Sequence, residues 1–358
     1  MKLCLDGTTG ERVFEGTPFG APRDVRGEVV FNTGMTGYVE ALTDPSYRGQ
    51  ILVLTFPLEG NYGVPADGWE SDRVQVEGLV IGRLAAHPSH ARLRLSLGEW
   101  LKRFDVPAIA DVDTRAITRI LREAGTMPGR LVADAESGDP RAVDTRSVAR
   151  LVTEPGTRRY DGGPRRVLLI DTGAKETIVR ALQRRELGVI RVPFYDRWEP
   201  LLEEVDGVLL PNGPGDPADL SDLTPRLRPL LGGDRPVLGI CLGHQLVSLA
   251  AGARTYKLPF GHRSQNQPVI DVATKRAYIT SQNHGYAVDG ATIPSGFVEA
   301  YRNLNDGTNE GIVHESHPIS TVQFHPEAAS GPHDTEHVFD RFARLVHART
   351  PRRGGGAR

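Results

Sequence analysis

Cysteine is nearly missing from this 358-residue chain, which has two, Cys4 and Cys241. That is too few for a disulfide framework or a zinc ribbon, so no metal site and a reducing compartment, the cytoplasm, are expected. Charge of one sign is missing too: 43 Lys and Arg stand against 45 Asp and Glu, a formal charge of −2. No global electrostatic footprint for nucleic acid or an anionic membrane follows from that balance. Nor is there a long hydrophobic run. The longest uncharged stretch, 236–253, is interrupted by Gly239, Gly243, Gln245 and Gly252, and reads as a buried strand turning into a buried helix. The first apolar residues meet Asp6 too early for a signal peptide. Glycine (40) and proline (26) are plentiful but follow no Gly-X-Y period, which excludes collagen and suits a loop-rich globular fold. The length predicts two domains or three.

Residues 1 to about 130 carry short apolar runs, 28–31, 50–56 and 78–81, separated by Gly, Pro and Asn; these read as strands joined by turns. Helices are predicted over 96–104 and 114–124, the second with Ile117, Ile120, Leu121 and Ala124 as a stripe and Gly125 as a stop. Residues 134–150 are polar and weakly patterned, and 154–164 read as a linker. Beyond it, apolar runs at 167–170, 189–192, 207–210 and 236–240 alternate with helical stretches at 175–186, 198–204 and 223–231. That alternation means βαβ units and an open parallel sheet. Runs at 276–280, 297–300 and 320–324 are expected to extend the sheet, and an amphipathic helix over 334–347 to close it. The predicted class is α/β: a C-terminal open, mostly parallel sheet with flanking helices, preceded by a mixed α/β N-terminal domain rich in short strands. The expected boundaries are 1–152, a linker at 153–165, a second domain at 166–348 and a flexible tail at 349–358.

The sharpest local feature is Gly239-Ile240-Cys241-Leu242-Gly243-His244-Gln245. A nucleophile with a glycine two residues before and two after, between a strand and a helix, has the nucleophile-elbow pattern with Cys in place of Ser. The helix N-terminus favours thiolate over thiol, and the amide after the nucleophile points where an oxyanion would form. The pentapeptide alone equally fits a buried structural cysteine on a glycine-rich turn. A cysteine nucleophile needs a base and an orienting acid, and His325-Pro326-Glu327, just after a predicted strand, offers both. Asn212-Gly213-Pro214-Gly215-Asp216-Pro217 follows another strand, at the end where open α/β sheets bind ligands, and Gly213 and Gly215 could present backbone amides there. Ser281-Gln282-Asn283-His284-Gly285-Tyr286, read as a polar cluster ending a strand, suits a small polar substrate; His284 alone reads as structural.

Together the Cys241 elbow, the 212–217 loop and His325-Pro326-Glu327 resemble the class I (triad) glutamine amidotransferases. Further motifs are Asn32-Thr33-Gly34-Met35-Thr36-Gly37-Tyr38, Leu42-Thr43-Asp44-Pro45-Ser46-Tyr47, Gly60-Asn61-Tyr62-Gly63, Asp113-Thr114-Arg115 and Gly331-Pro332-His333-Asp334. With these the chain is similar, from about residue 3 to 342, to the glutamine-hydrolysing small subunits of carbamoyl phosphate synthetases. That resemblance implies Cys241 as nucleophile, His325 as base and acid, and Glu327 as orienter. It implies L-glutamine held by Ser46 of the N-terminal domain and by Gly213, Gly215, Leu242, Gln245, Asn283, Gly285 and Tyr286, with the Gly213 and Leu242 amides as oxyanion hole. It also implies a large ATP-dependent subunit that makes carbamoyl phosphate from bicarbonate and ammonia, for pyrimidine and arginine biosynthesis. No cofactor is expected in this chain, which has no Gly-x-x-x-x-Gly-Lys-Ser/Thr run; ATP and Mg belong on the partner.

Departures from the family pattern are few: Tyr286 where Phe is also common, Ser330 for a usual Pro, and Ser264 where Gly is frequent. Cys4 matches nothing catalytic and reads as structural. Two rival functions are a glutaminase of another amidotransferase and a non-catalytic regulatory scaffold. The motifs around Ser46 argue against the first, and the intact Cys241, His325 and Glu327 against the second.

Overall fold

The computed structural model describes residues 1–7, 10–133, 140, 142–144, 146 and 148–349. Much of the weakly patterned 134–150 segment, and the expected tail except Arg349, lie outside the described residues.

The N-terminal half holds β1 (Lys2–Gly7), β2 (Gly10–Glu15), β3 (Thr17–Pro18), β4 (Val25–Asn32), α1 (Tyr38–Thr43), β5 (Gln50–Leu54), β6 (Gly78–Ile81), α2 (Leu97–Arg103), β7 (Ala108–Ala110), α3 (Thr114–Ala124) and β8 (Met127–Val132). Its strands form one sheet in the order β2-β1-β8-β4-β5-β6-β7-β3, parallel from β4 through β7 and antiparallel elsewhere. The inner strands are apolar on both faces. In β5, Ile51 and Val53 pack on the α3 side with Ile117 and Leu121, while Leu52 and Leu54 pack on the other with Trp100 and Leu101. Helix α2 starts where Ser96 and Glu99 form a reciprocal capping box, and Asp113 caps α3.

The C-terminal half holds α4 (Val148–Val152), β9 (Arg158–Tyr160), β10 (Arg165–Asp171), α5 (Glu176–Gln183), β11 (Leu187–Pro193), β12 (Gly207–Leu210), α6 (Leu223–Leu227), β13 (Val237–Ile240), α7 (Leu242–Ala251), β14 (Thr255–Asp271), β15 (Ala277–Val288), β16 (Phe297–Asn303), β17 (Asn309–His314), β18 (Ile319–Val322) and α8 (His337–Ala348). Its sheet runs β15-β14-β16-β17-β18-β13-β12-β10-β11-β9. The run β18-β13-β12-β10-β11 is parallel, as the sequence leads one to expect. Alternate residues of β10 separate the two cores: Val167 and Leu169 face Ile178 and Phe339, while Leu168 and Ile170 face Leu242 and Leu246. No helix among the described residues is long and apolar enough to cross a membrane.

Three expectations are corrected. The runs near 276–280 and 297–300 do extend the same ten-stranded sheet, but as an antiparallel arm, β14 to β17, and not as parallel strands. The links between these strands are short turns, whereas a parallel pair needs a crossover of about a dozen residues. Strand β14, which carries Pro259 and Gly261 and has no apolar alternation, is not foreseen at all, and Ser281–Tyr286 lies inside β15 rather than at its end. Finally, the linker segment is not plain coil, since Arg158–Tyr160 pairs with β11 as an edge strand.

Candidate active site

Strand β13 ends at Ile240 and α7 begins at Leu242, so Cys241 turns the chain in one residue, at φ 54° and ψ −106°. Positive φ is rare for a residue with a side chain and marks backbone held by its surroundings. Here the holding is close packing. A Cβ on Gly243 would lie 2.0 Å from the Leu210 carbonyl oxygen, and one on Gly239 would lie 2.7 Å from that of Gly243. The Cys241 amide donates to Val322 O (2.8 Å) and the Gly243 amide to Pro211 O (2.9 Å), tying the elbow to both neighbouring strands. Leu242 is the first helical residue, whose amide has no intrahelical acceptor.

Parallel pairing of β13 with β18 sets Ile240 opposite Val322. His325, just beyond β18, therefore stands beside the elbow. Its Nδ1 donates to Glu327 Oε1 at 2.6 Å, and the ring also interacts with the Cys241 side chain. Burial, the largest influence on this imidazole, pulls its pKa down; Glu327, followed by Cys241, outweighs it and raises the pKa to about 10. His244 of α7 shows the unopposed case: equally buried, bonded to Thr321 Oγ1 (2.7 Å) and to no carboxylate, it is pushed down to about 3. Burial likewise opposes ionisation of Glu327, but Lys175 and then His325 hold its carboxyl at about 2. Lys175 is 3% exposed; its ammonium lies 3.0 Å from Glu327 Oε1 and also donates to Ala329 O. Against its own burial, Glu327, Glu70 and Asp44 keep it charged.

The N-terminal domain reaches this centre through a 3₁₀ turn, Pro45–Tyr47, capped by Asp44. Ser46 Oγ accepts from Asn212 Nδ2 (2.9 Å), and Asp44 accepts from the Ser46 amide (2.9 Å) and from Asn283 Nδ2 (2.9 Å). The Asn283 carbonyl in turn sits 3.7 Å from Cys241 Sγ. Gln245 donates to Tyr286 O (2.8 Å) and Gln323 Oε1 (2.9 Å). A cavity of about 500 Å³ between the domains is lined by Cys241, Ser46, Gly213, Gly215, Leu242, Gln245, Asn283, Gly285 and Tyr286. Every expected glutamine-contacting residue thus shares one space with the cysteine. His325 lines a smaller space, about 30 Å³, on the other side of Asn283, together with Asp44 and Lys175.

Sequence reasoning does not reach Asp44, Lys175 or Glu70 as site residues. Asp44 lies inside a quoted motif, but nothing in the sequence marks it as a cross-domain acceptor. Glu70 crosses between domains as well, accepting from the Thr177 amide (3.2 Å) at the start of α5 and from Arg180 Nη2 (3.1 Å). The remaining titratable cluster is His262, His284 and Glu310, whose donor atoms lie within 4.8 Å of one another. Gln282 Oε1 already stands between the two rings, 3.0 Å from His262 Nδ1 and 3.1 Å from His284 Nε2, and Asn303 donates to Glu310 at 3.0 Å. Gln282 and His284 flank Asn283 on β15, so this cluster shares the strand that carries Asn283.

Comparison with known proteins fits both halves. A family model described as glutamine amidotransferase class-I matches residues 168–345, and one described as carbamoyl-phosphate synthase small chain, CPSase domain, matches residues 6–131. The carbamoyl phosphate synthase small chain of Archaeoglobus fulgidus is 46% identical, covering 97% of this chain and 99% of its own. That of Symbiobacterium thermophilum is 46% identical over 95% of this chain and 97% of its own. An arginine-specific small chain of Neurospora crassa is 44% identical over 93% of this chain and 78% of its own. The chain, with both family models matched in order and relatives this similar along nearly its whole length, belongs to the carbamoyl phosphate synthase small-chain family and carries its class I glutamine amidotransferase domain.

Proposed function

We propose that this chain hydrolyses L-glutamine with Cys241, His325 and Glu327 and passes the ammonia to a large ATP-dependent subunit that makes carbamoyl phosphate. The observation that carries this reading is the meeting of a strained cysteine elbow with a buried His325–Glu327–Lys175 chain at the same ends of two adjacent parallel strands. The Cys241 sulfur attacks the side-chain amide carbon of glutamine, and the oxyanion rests on the amides of Gly213 and Leu242. His325, already protonated because its pKa stands near 10, gives its proton to the leaving nitrogen. Ammonia departs and a γ-glutamyl thioester remains. The now neutral His325 takes a proton from water, which opens the thioester and returns the sulfur as glutamate leaves. Acid–base assistance of this kind is worth about 10² to 10⁴-fold, and one oxyanion donor about 10² to 10³-fold.

In this reading residues 1–152 contact the partner and supply Ser46, 153–165 join the halves, and 166–348 form the glutaminase unit. ATP and Mg are bound by the large subunit. The assembly works in the cytoplasm, and its product serves pyrimidine and arginine synthesis. The test is carbamoyl phosphate formation by the chain co-expressed with a large subunit, driven by glutamine or by ammonia. Cys241→Ser is expected to abolish only the glutamine-driven rate; equal rates in variant and native protein would make the elbow structural.

A further inference from the structure

The four strands of the antiparallel arm close on themselves. Strand β14 pairs with β15 and β16, β16 pairs with β17, and β17 returns to β15 where Asn309 meets Val288. Three titratable groups meet here. His262 of β14 stands directly opposite His284 of β15, and Glu310 of β17 completes the group. All three are buried, at 8%, 5% and 0% exposure, and the glutamine chemistry above uses none of them.

Donors and acceptors do not balance in this cluster. His284 Nδ1 lies 2.8 Å from Tyr286 O and its Nε2 3.1 Å from Gln282 Oε1, so both ring nitrogens face an oxygen. His262 repeats the pattern. Its Nε2 lies 2.8 Å from Asp306 Oδ2, and its Nδ1 lies 3.0 Å from Gln282 Oε1 and 3.6 Å from Glu310 Oε1. A neutral imidazole carries one N–H. With each N–H on the outer oxygen, two ring lone pairs, an amide oxygen and a carboxylate oxygen are left facing one another. The Gln282 amide is held in this sense: its nitrogen donates to Thr280 Oγ1 (3.1 Å), whose own proton goes to Gln267 O (2.9 Å). Asn303 Nδ2 is spent on Glu310 Oε1 (3.0 Å) and stands 3.5 Å from His262 Nδ1. A proton added to His262 serves Gln282 and Asp306 but leaves the His284 Nε2 lone pair against the same oxygen. Protonating both rings sets two buried cations with ring centres 4.9 Å apart.

The same atoms have the spacing of a tetrahedral metal site. Ligands about 2.0 Å from a tetrahedral Zn²⁺ stand about 3.3 Å from one another. Three of the contacts above, at 3.0, 3.1 and 3.6 Å, bracket that value, and the donor atoms of His262, His284 and Glu310 all lie within 4.8 Å of one another. The outer partners are those of metal-binding histidines: a carboxylate, Asp306, on one ring and a backbone carbonyl, Tyr286 O, on the other. Two imidazoles and a carboxylate suit Zn²⁺, and an amide oxygen at the fourth corner leaves no open position of the kind non-haem iron uses. Scarcity of cysteine has no bearing on a site of nitrogen and oxygen ligands.

We propose that His262 Nδ1, His284 Nε2, the Glu310 carboxylate and Gln282 Oε1 bind one Zn²⁺, which staples β14, β15 and β17 together. Gln282 and His284 flank Asn283, so the ion fixes the stretch of β15 whose carbonyl lies 3.7 Å from Cys241 Sγ. Its role is structural and does not depend on which substrate the cysteine attacks.

The test is calorimetric titration of the full chain with Zn²⁺ after dialysis against a chelator, beside elemental analysis of protein purified without one. One Zn²⁺ per chain is expected, and adding it should raise the urea midpoint, because an ion held only by the folded state stabilises that state. Asp306→Asn alters an outer partner whose side chain is 41% exposed; it is expected to weaken binding about 10- to 100-fold, and Glu310→Gln to weaken it further. A chain that takes up no Zn²⁺ overturns the proposal. So does Zn²⁺ bound equally by native protein and Glu310→Gln, which would place the ion elsewhere, as on the neighbouring rings of His314 and His317. If Glu310→Gln does not fold, Asp306→Asn decides, and an unchanged affinity overturns the assignment. None of these readouts involves glutamine, so their failure leaves the glutaminase reading standing.

Discussion

Glu327→Gln removes one charge and keeps the shape, and the structure supplies the scale of the effect. In the native protein Glu327 leads the influences that raise His325 to about 10 against its burial. His244, buried without a carboxylate, shows where burial alone leads, to about 3. Without Glu327, His325 keeps Cys241 as its negative neighbour, so its pKa is expected to fall well below 10, each unit being worth about 1.4 kcal/mol. The ring then loses, near neutrality, the proton that the proposed mechanism has it deliver to departing ammonia. The glutamine-driven rate is expected to drop about 10² to 10⁴-fold while the ammonia-driven rate stays. Stability falls as well, by about 3–5 kcal/mol, because Lys175 and His325 are left buried without their shared carboxylate. The sign of the pH dependence follows from the two shifts. His325, raised from 6.5, contributes stability below pH 6.5 that is lost as pH climbs toward 10. Glu327, lowered from 4.5, contributes stability above pH 4.5 that is lost as pH falls toward 2. Native protein and variant should therefore differ most in urea unfolding between these two ordinary values, with the His325 ring titrated by NMR in both. A variant ring still titrating near 10, with ordinary glutamine turnover, would refute the reasoning.

Three further outcomes are expected. Asp44→Asn replaces a carboxylate that accepts from the Ser46 amide (2.9 Å), Asn212 Nδ2 (3.3 Å) and Asn283 Nδ2 (2.9 Å) with a group that must present a donor to one of them. KM for glutamine should rise about 10-fold or more in steady-state kinetics, and an unchanged KM would remove Asp44 from the site. Gly243→Ala drives a methyl group to 2.0 Å from a backbone oxygen that cannot step aside; a loss of about 2 kcal/mol or more in urea unfolding, with collapse of glutamine turnover, is expected. Iodoacetamide at neutral pH should modify Cys241, which opens on the cavity, and spare Cys4, which is fully buried and whose thiol is pushed up first by that burial and then by Glu11. Equal labelling of the two, read by mass spectrometry of the digest, would contradict this.

What the sequence shows is local chemistry with a rigid backbone demand. Gly239 and Gly243 bracket Cys241 because the elbow leaves no room for a Cβ, and apolar runs alternating with helical stripes announce β10 to β13 with their helices. Antiparallel β14 escapes such reading: its burial alternates irregularly, and register shifts between Lys257 and His262 and between Ser264 and Gln267 break the period of two. Placing Ser281–Tyr286 inside β15 needs β14 as its partner, so that error follows from the first.

The sequence by itself determined the candidates for nucleophile, histidine and carboxylate and the class of the C-terminal sheet, because each rests on contacts between near neighbours or on a short repeating period. The tertiary structure alone decided which distant groups complete the site. Asn283 meets Asp44 across 239 residues, Lys175 meets the loop after His325 across 154, and Asn212 meets Ser46 across 166. No local pattern encodes such pairs. They exist because the N-terminal domain packs over the ends of a parallel sheet, where burial strengthens each charge and hydrogen bond that closes the gap.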